Sequence, residues 1–130
     1  MKETNDWLRF VKEEFDTILL LEESELYRTV CIHAQQLAEK TLKAALFEKG
    51  EKIPRIHDLP ALVTQLGLRL PVSDEEVQFL SSVYSESRYP SEVGLLPYGK
   101  PTEEDAQRAV ATARKIHEFW VPFVKHAVIT

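Results

Sequence analysis

His33-Ala-Gln-Gln-Leu-Ala-Glu-Lys-Thr-Leu-Lys-Ala-Ala-Leu46 decides how this chain folds. At 100° per residue, a helix gathers its small and apolar residues on one stripe and its polar residues on the other. With the preceding two turns added, Tyr27, Val30, Cys31, Ala34, Leu37, Ala38, Thr41, Leu42, Ala44 and Ala45 share one side. They span an arc of roughly 160°, the width of a core-facing stripe. Opposite lie His33, Gln35, Gln36, Glu39, Lys40 and Lys43, with Ile32, Leu46 and Phe47 among them. A face so mixed is neither purely solvated nor purely buried, and it suits a groove or an interface.

Upstream, Trp7, Leu8, Val11, Phe15, Ile18 and Leu19 recur at three and four residues, which predicts a first helix from about Asn5 to Leu21 with Thr4 or Asn5 as its cap. Glu22-Glu23-Ser24 breaks it, and Ser24 is the expected N-cap of the second helix, which runs to about Lys49 and stops at Gly50. So short a connection favours an antiparallel pair. Downstream, Pro54 keeps Ile53 out of a helix. A third helix starts near His57 or Asp58, takes Pro60 in its first turn and ends at Gly67. Ser73, with Glu76 at the capping-box position, opens a fourth helix carrying Val77, Leu80, Val83 and Tyr84. Thr102 and the acids Glu103, Glu104 and Asp105 open a fifth, in which Pro122 is expected to kink or loosen the last turn. No segment alternates as a strand does. The expected fold is all-α, an antiparallel up-and-down bundle of about five helices forming one domain over residues 1–130.

The 130 residues, 44% hydrophobic, suffice for one core and not for two. The single Cys31 lies on the apolar arc, which excludes an intrachain disulfide and predicts a buried, inert thiol. No apolar run approaches a membrane span, and the N-terminus lacks a signal peptide's apolar middle, so a cytoplasmic protein is expected. A net charge of −5 counts against general nucleic-acid binding, which is driven by phosphate neutralisation. The charge is uneven, however. Residues 35–55 are locally basic and residues 74–105 acidic, leaving room for a basic partner or a second copy of the chain.

Three pieces of this chain, in order, resemble the HEPN family of small helical domains, often encoded beside a minimal nucleotidyltransferase. The pattern H-A-Q-Q-x-A-E-K-x-L-K-A-x-L from His33 to Leu46 is similar to the family's second helix. His57 in Ile-His-Asp-Leu-Pro-Ala-Leu resembles the entry to its third, and Tyr84 to Pro90, Y-x-x-x-R-Y-P, the exit of its fourth. The resemblance implies a homodimer that binds a nucleotide or nucleic acid, docks a separately encoded nucleotidyltransferase, or both. It also raises a ribonuclease toxin of a toxin–antitoxin pair as the alternative. Ribonucleases of the family are described by an Arg followed four to six residues later by His, yet here no His follows Arg88 until His117. An arginine cannot be deprotonated to act as the base of metal-independent cleavage. Arg28 and His33 have the family spacing, but they lie at the start of the second helix, where an offset of five turns the side chains roughly 140° apart. No catalytic residue is therefore assigned, and the chain alone is not expected to be an enzyme. A third reading is an interaction module whose polar stripe is buried between subunits.

The expected ligand site is Gln36, Glu39, Lys40 and Lys43 on the second helix, met by Arg88 and Tyr89, with His57 at the margin. Arg88 suits a carboxylate or phosphate held in a fixed direction, and lysine supplies point charge to phosphate. Against this stands a plainer account, an exposed helix face on which Glu39 and Lys43 pair at i, i+4 for about 0.3–0.5 kcal/mol. In it, Arg88 pins its loop to a structural carboxylate such as Glu39 and His57 merely caps or packs. The four histidines, at 33, 57, 117 and 126, show no ligand spacing, so neither a metal nor a cofactor is expected. The segment 86–101 is long for a bundle loop and is expected to be ordered beside the polar stripe. Ile32, Phe47, Leu95 and Leu96 are expected to leave apolar area exposed, which self-association would cover.

Overall fold

The computed structural model describes the backbone of residues 4–87 and 100–129, with side chains to residue 85 and from 100 to 120. Five helices are present among these residues: α1 (Trp7–Leu21), α2 (Tyr27–Glu48), α3 (Leu59–Leu66), α4 (Asp74–Ser87) and α5 (Glu103–Ile129). No strand occurs among them. The protein is an all-α bundle, with α2 as the element against which each of the other four packs.

The reason lies in the side chains of α2. Ala34, Ala38, Thr41 and Ala45 are buried and small, and so are Ala106, Ala109 and Ala113 on α5, so the two helices can approach closely. Leu37, Leu42 and Leu46 fill the flanks and meet Ile18, Leu59, Leu62, Leu66, Leu80 and Ile116 in one continuous core. Of the predicted core arc, Tyr27 alone stays half-buried. Cys31 is fully enclosed, and burial, then the charge of Asp105, pushes its thiol up to about 12. α1 and α2 run antiparallel: Asn5 at the start of α1 donates to Ala44 O (3.1 Å) and Glu48 Oε1 (2.9 Å) near the end of α2.

The helix ends refine the expected boundaries. Asp6, not Thr4 or Asn5, is the N-cap of α1, and its side chain makes no capping bond. Asn5 Oδ1 accepts instead from Trp7 N (3.2 Å), while its amide ties the corner to α2. Ser24 does not cap α2, which starts at Tyr27 after Leu26. Its hydroxyl stitches the turn, donating to Leu21 O and accepting from Leu26 N. Asp58 caps α3 by accepting from Ala61 N (3.2 Å), and Gly67 ends it at φ 70°, the left-handed conformation that glycine reaches without a Cβ clash. Ser73 accepts from Glu76 N at the start of α4 (3.1 Å). The Glu76 carboxylate turns to α5, where Arg108 donates from Nε and Nη2 and Thr112 from its hydroxyl. The reciprocal box forms at α5 instead, with Asp105 N donating to Thr102 Oγ1 (3.2 Å) and Thr102 N to Asp105 Oδ2 (2.9 Å). α5 stays helical through Pro122 to Ile129. Among the described residues no helix is long and apolar enough to cross a membrane.

Candidate functional site

α2 ends at Glu48 with Lys49 as its C-cap, and Gly50, at φ 75°, turns the chain back along the helix it has just left. The return strap is pinned at the α3 end, where Lys49 Nζ donates to Leu66 O (2.7 Å) and Gln65 Nε2 to Lys52 O (2.9 Å). It delivers His57 to the middle of α2. There Gln35 Nε2 donates to the His57 backbone carbonyl (3.0 Å), and Glu39 Oε1 lies 2.8 Å from His57 Nδ1. Backbone and ring are thus both held by one helix.

Glu39 is the centre of this arrangement. Its Oε1 also accepts from Gln35 Nε2 (3.2 Å) and Gln36 Nε2 (3.4 Å), and its Oε2 from Lys43 Nζ (3.0 Å). Burial works to raise its pKa. The hydrogen bonds from His57, Lys43 and Gln35, with the charge of Lys43, outweigh that and hold the carboxyl below its ordinary value. A carboxylate there assigns the proton of neutral His57 to Nδ1 and leaves Nε2 as an acceptor. The His57 side chain is 58% exposed, whereas that of Glu39 is 4% exposed. A buried carboxylate orienting an accessible imidazole is an arrangement found where a histidine must bind or move a proton in a fixed direction.

The accessible imidazole faces an open groove of about 390 Å³ between the entry of α3 and the outer face of α4. Its wall is made of His57, Asp58 and Pro60 on one side and Gln78, Ser81, Ser82, Tyr84 and Ser85 on the other. The Tyr84 and His57 ring centroids are 6.0 Å apart, tilted by 50°. Among the described residues lining it there is no lysine or arginine. Hydroxyls, an amide, two rings and one carboxylate suit a polar, flat ligand better than a bare polyanion.

The structure brings four of the seven expected site residues together: Gln36, Glu39, Lys43 and His57. Lys40 is turned toward α1, where its Nζ donates to Glu14 Oε1 (2.8 Å) and lies 5.6 Å from the Phe10 ring centre. Arg88 and Tyr89 lie outside the described residues, as do Leu95 and Leu96. The exposed-face account of Glu39 and Lys43 is overturned. They pair, but their side chains are 4% and 6% exposed, with Lys43 Nζ also 5.4 Å from the Trp7 ring centre. Ile32 and Phe47 are half-buried, and the exposed large apolar residues among those described are Leu19, Leu20, Leu26, Leu68 and Phe119.

Sequence reasoning overlooked Glu14, Gln35 as a ligand of the His57 backbone, and Tyr84 as a groove wall. Glu14 reproduces the Glu39 pattern on the other side of the stripe, with His33 Nδ1 at 2.7 Å on one oxygen and Lys40 on the other. A signal for it existed: Glu14 is a lone acid on the stripe of Val11, Phe15 and Ile18. Among the described residues no group of three or more His, Cys, Asp or Glu could hold a metal ion.

Two solved structures share this fold over nearly their whole length. The protein TT1696 from Thermus thermophilus is 25% identical, with a TM-score of 0.73, over 98% of this chain and 99% of its own. ST0689, described as an archaeal HEPN homologue, is 27% identical, with a TM-score of 0.70, over 95% and 99%. No curated protein matches the chain. The model of the HEPN domain matches residues 4–124, which take in the α2 motif, the His57 strap and the whole of the groove. The chain belongs to the HEPN family.

Proposed function

We propose that this chain is an accessory HEPN domain that binds a nucleotide, free or as a single-stranded segment, in the groove between α3 and α4, and that it works as a homodimer with a separately encoded nucleotidyltransferase. The observation that carries the ligand reading is the His57 ring, oriented by buried Glu39 and exposed beside Tyr84 in a groove rich in hydroxyls. A base lying against these rings would gain on the order of 1–3 kcal/mol from stacking, and Nε2 would accept from an exocyclic amine. Lys43 is enclosed and Lys40 is paired with Glu14, so base recognition rather than phosphate neutralisation dominates in this reading. The homodimer would cover exposed leucines such as Leu19, Leu20 and Leu68.

Calorimetric titration of the four ribonucleoside monophosphates and a short single-stranded RNA tests it. Wild type is expected to bind at least one of them. His57→Ala is expected to bind it at least ten-fold more weakly while keeping its helical circular dichroism, and Lys40→Ala to bind it as wild type does. Equal binding by wild type and His57→Ala would place the ligand elsewhere. The ribonuclease alternative draws on the same carboxylate-held imidazole, the group a metal-independent cleavage requires. Cleavage also needs a second group to protonate the leaving oxygen; beside the one imidazole, the described groove wall offers only the Asp58 carboxylate, which is engaged in capping α3, and the Tyr84 phenol. Incubation with RNA in chelator is expected to give no cleavage; cleavage lost in His57→Ala would establish the enzyme instead.

A further inference from the structure

A second and larger groove, of about 680 Å³, lies between the α1–α2 corner and the first half of α5. Tyr27, Val30, Ala106 and Val110 contribute its apolar lining. Glu22, Glu23, Glu25 and Glu103 are its acids, and Arg114 is the one cation among its described lining residues. That arginine is already engaged, with Nη2 at 2.6 Å from Glu22 Oε1. Three carboxylates are left without a cation among the groove-lining residues. Leu26, the residue before α2, is 57% exposed, and Leu20 at the end of α1 is 85% exposed. Burial, and then the charges of Glu103 and Glu25, raise the Tyr27 phenol above its ordinary pKa, in keeping with a negative potential in the groove.

We propose that this groove docks a segment of a partner protein in which lysines or arginines flank an apolar side chain. The apolar residue would enter over Val30 and Val110, and the cations would meet Glu23, Glu25 and Glu103. Charge complementarity selects the occupant, since a nucleic acid or an acidic segment would be repelled by the same carboxylates. The chain's own basic strap, Lys49, Lys52 and Arg55, is a poor occupant. Its neighbouring apolar residues, Ile53 and Ile56, are packed against the core of their own molecule and could not serve as the anchor. This inference does not depend on the nucleotide reading.

Fluorescence anisotropy with a labelled synthetic peptide of alternating lysine and leucine tests it, with the glutamate-for-lysine peptide as control. Two variants separate charge from shape. Glu23→Lys/Glu25→Lys reverses two exposed carboxylates, and Ala111→Trp fills the groove from an exposed position of α5 without changing charge. Wild type is expected to bind the basic peptide and not the acidic one, and each variant to bind at least ten-fold more weakly. Should Ala111→Trp fail to fold by circular dichroism, Gln107→Trp, also at an exposed groove position, takes its place. No binding by wild type overturns the proposal, and so does unchanged binding by the folded tryptophan variant, which would mean unspecific attraction to acidic surface. If sedimentation shows a wild-type dimer that the tryptophan variant dissolves, the occupant is a second copy and the proposal also falls.

Discussion

Replacing Glu39 by Gln removes one charge and almost no volume, and it reads out the buried polar stripe directly. In the wild type, Glu39 accepts from Gln35, Gln36, Lys43 and His57. A glutamine side chain offers one acceptor oxygen and turns an NH2 group on either the Lys43 ammonium or the His57 N–H. Lys43, whose side chain is 6% exposed, then lacks its counter-charge. Breaking one side of a buried pair costs roughly 3–5 kcal/mol, and the retained amide oxygen argues for the lower end. For a domain of this size about 3 kcal/mol lowers Tm by roughly 10 °C. Urea unfolding followed by circular dichroism measures it, with an unchanged m value as the check that the midpoint shift is a stability change. The double variant Glu39→Met/Lys43→Met removes both charges together and should recover most of the loss, because a buried pair replaced by apolar groups is often close to neutral. A Glu39→Gln protein within about 0.5 kcal/mol of wild type, the scale of surface substitutions, would refute the claim that this carboxylate is buried and paired.

Other outcomes follow from particular contacts. Glu39 and Glu76 both have lowered pKa values, Glu39 by its donors against the effect of burial and Glu76 chiefly by Arg108. Their stabilisation is therefore complete above the ordinary carboxylate range, about pH 4.3 in an unfolded chain, and fades as pH falls through the lower folded values. The stability gap between wild type and Glu39→Gln should accordingly be constant from pH 6 to about 5 and close below about 4; a gap that widens in acid would contradict the assignment. Ser73→Ala and Thr102→Ala each remove a capping oxygen and should each cost about 1 kcal/mol in urea unfolding. Cys31, enclosed and with its thiol pushed up to about 12, should resist an aromatic disulfide reagent at pH 8 in native protein and react at once in urea.

Much of this architecture is legible in the residues, because it rests on spacing. The small-residue stripe of α2 lets another helix come close, and Ala106, Ala109 and Ala113 give α5 the matching small face. Caps at Asp58 and Thr102, and the stop at Gly67, follow from local chemistry within four residues. Burial of the polar stripe is less legible, since it depends on partners far along the chain. Glu39 meets His57 across 18 positions and Lys40 meets Glu14 across 26. Read by itself, i, i+4 pairing of Glu39 with Lys43 looks like solvated surface; the strap that carries His57 and the indole of Trp7 turn it into interior. Ser24 misleads for a related reason, as a hydroxyl in a tight corner can serve the turn rather than the next helix.

The central claim is that Glu39 holds His57 as an Nδ1-protonated, outward-facing acceptor at a ligand groove. Long-range 1H–15N NMR of the histidine side chains, near neutral pH and with His57→Gln for assignment, measures it most directly. The expected spectrum has the His57 proton on Nδ1 in the neutral ring, and its Nε2 resonance moves when a binding nucleotide is added. A neutral His57 protonated on Nε2, or an Nε2 resonance that no nucleotide or short RNA displaces, would contradict it.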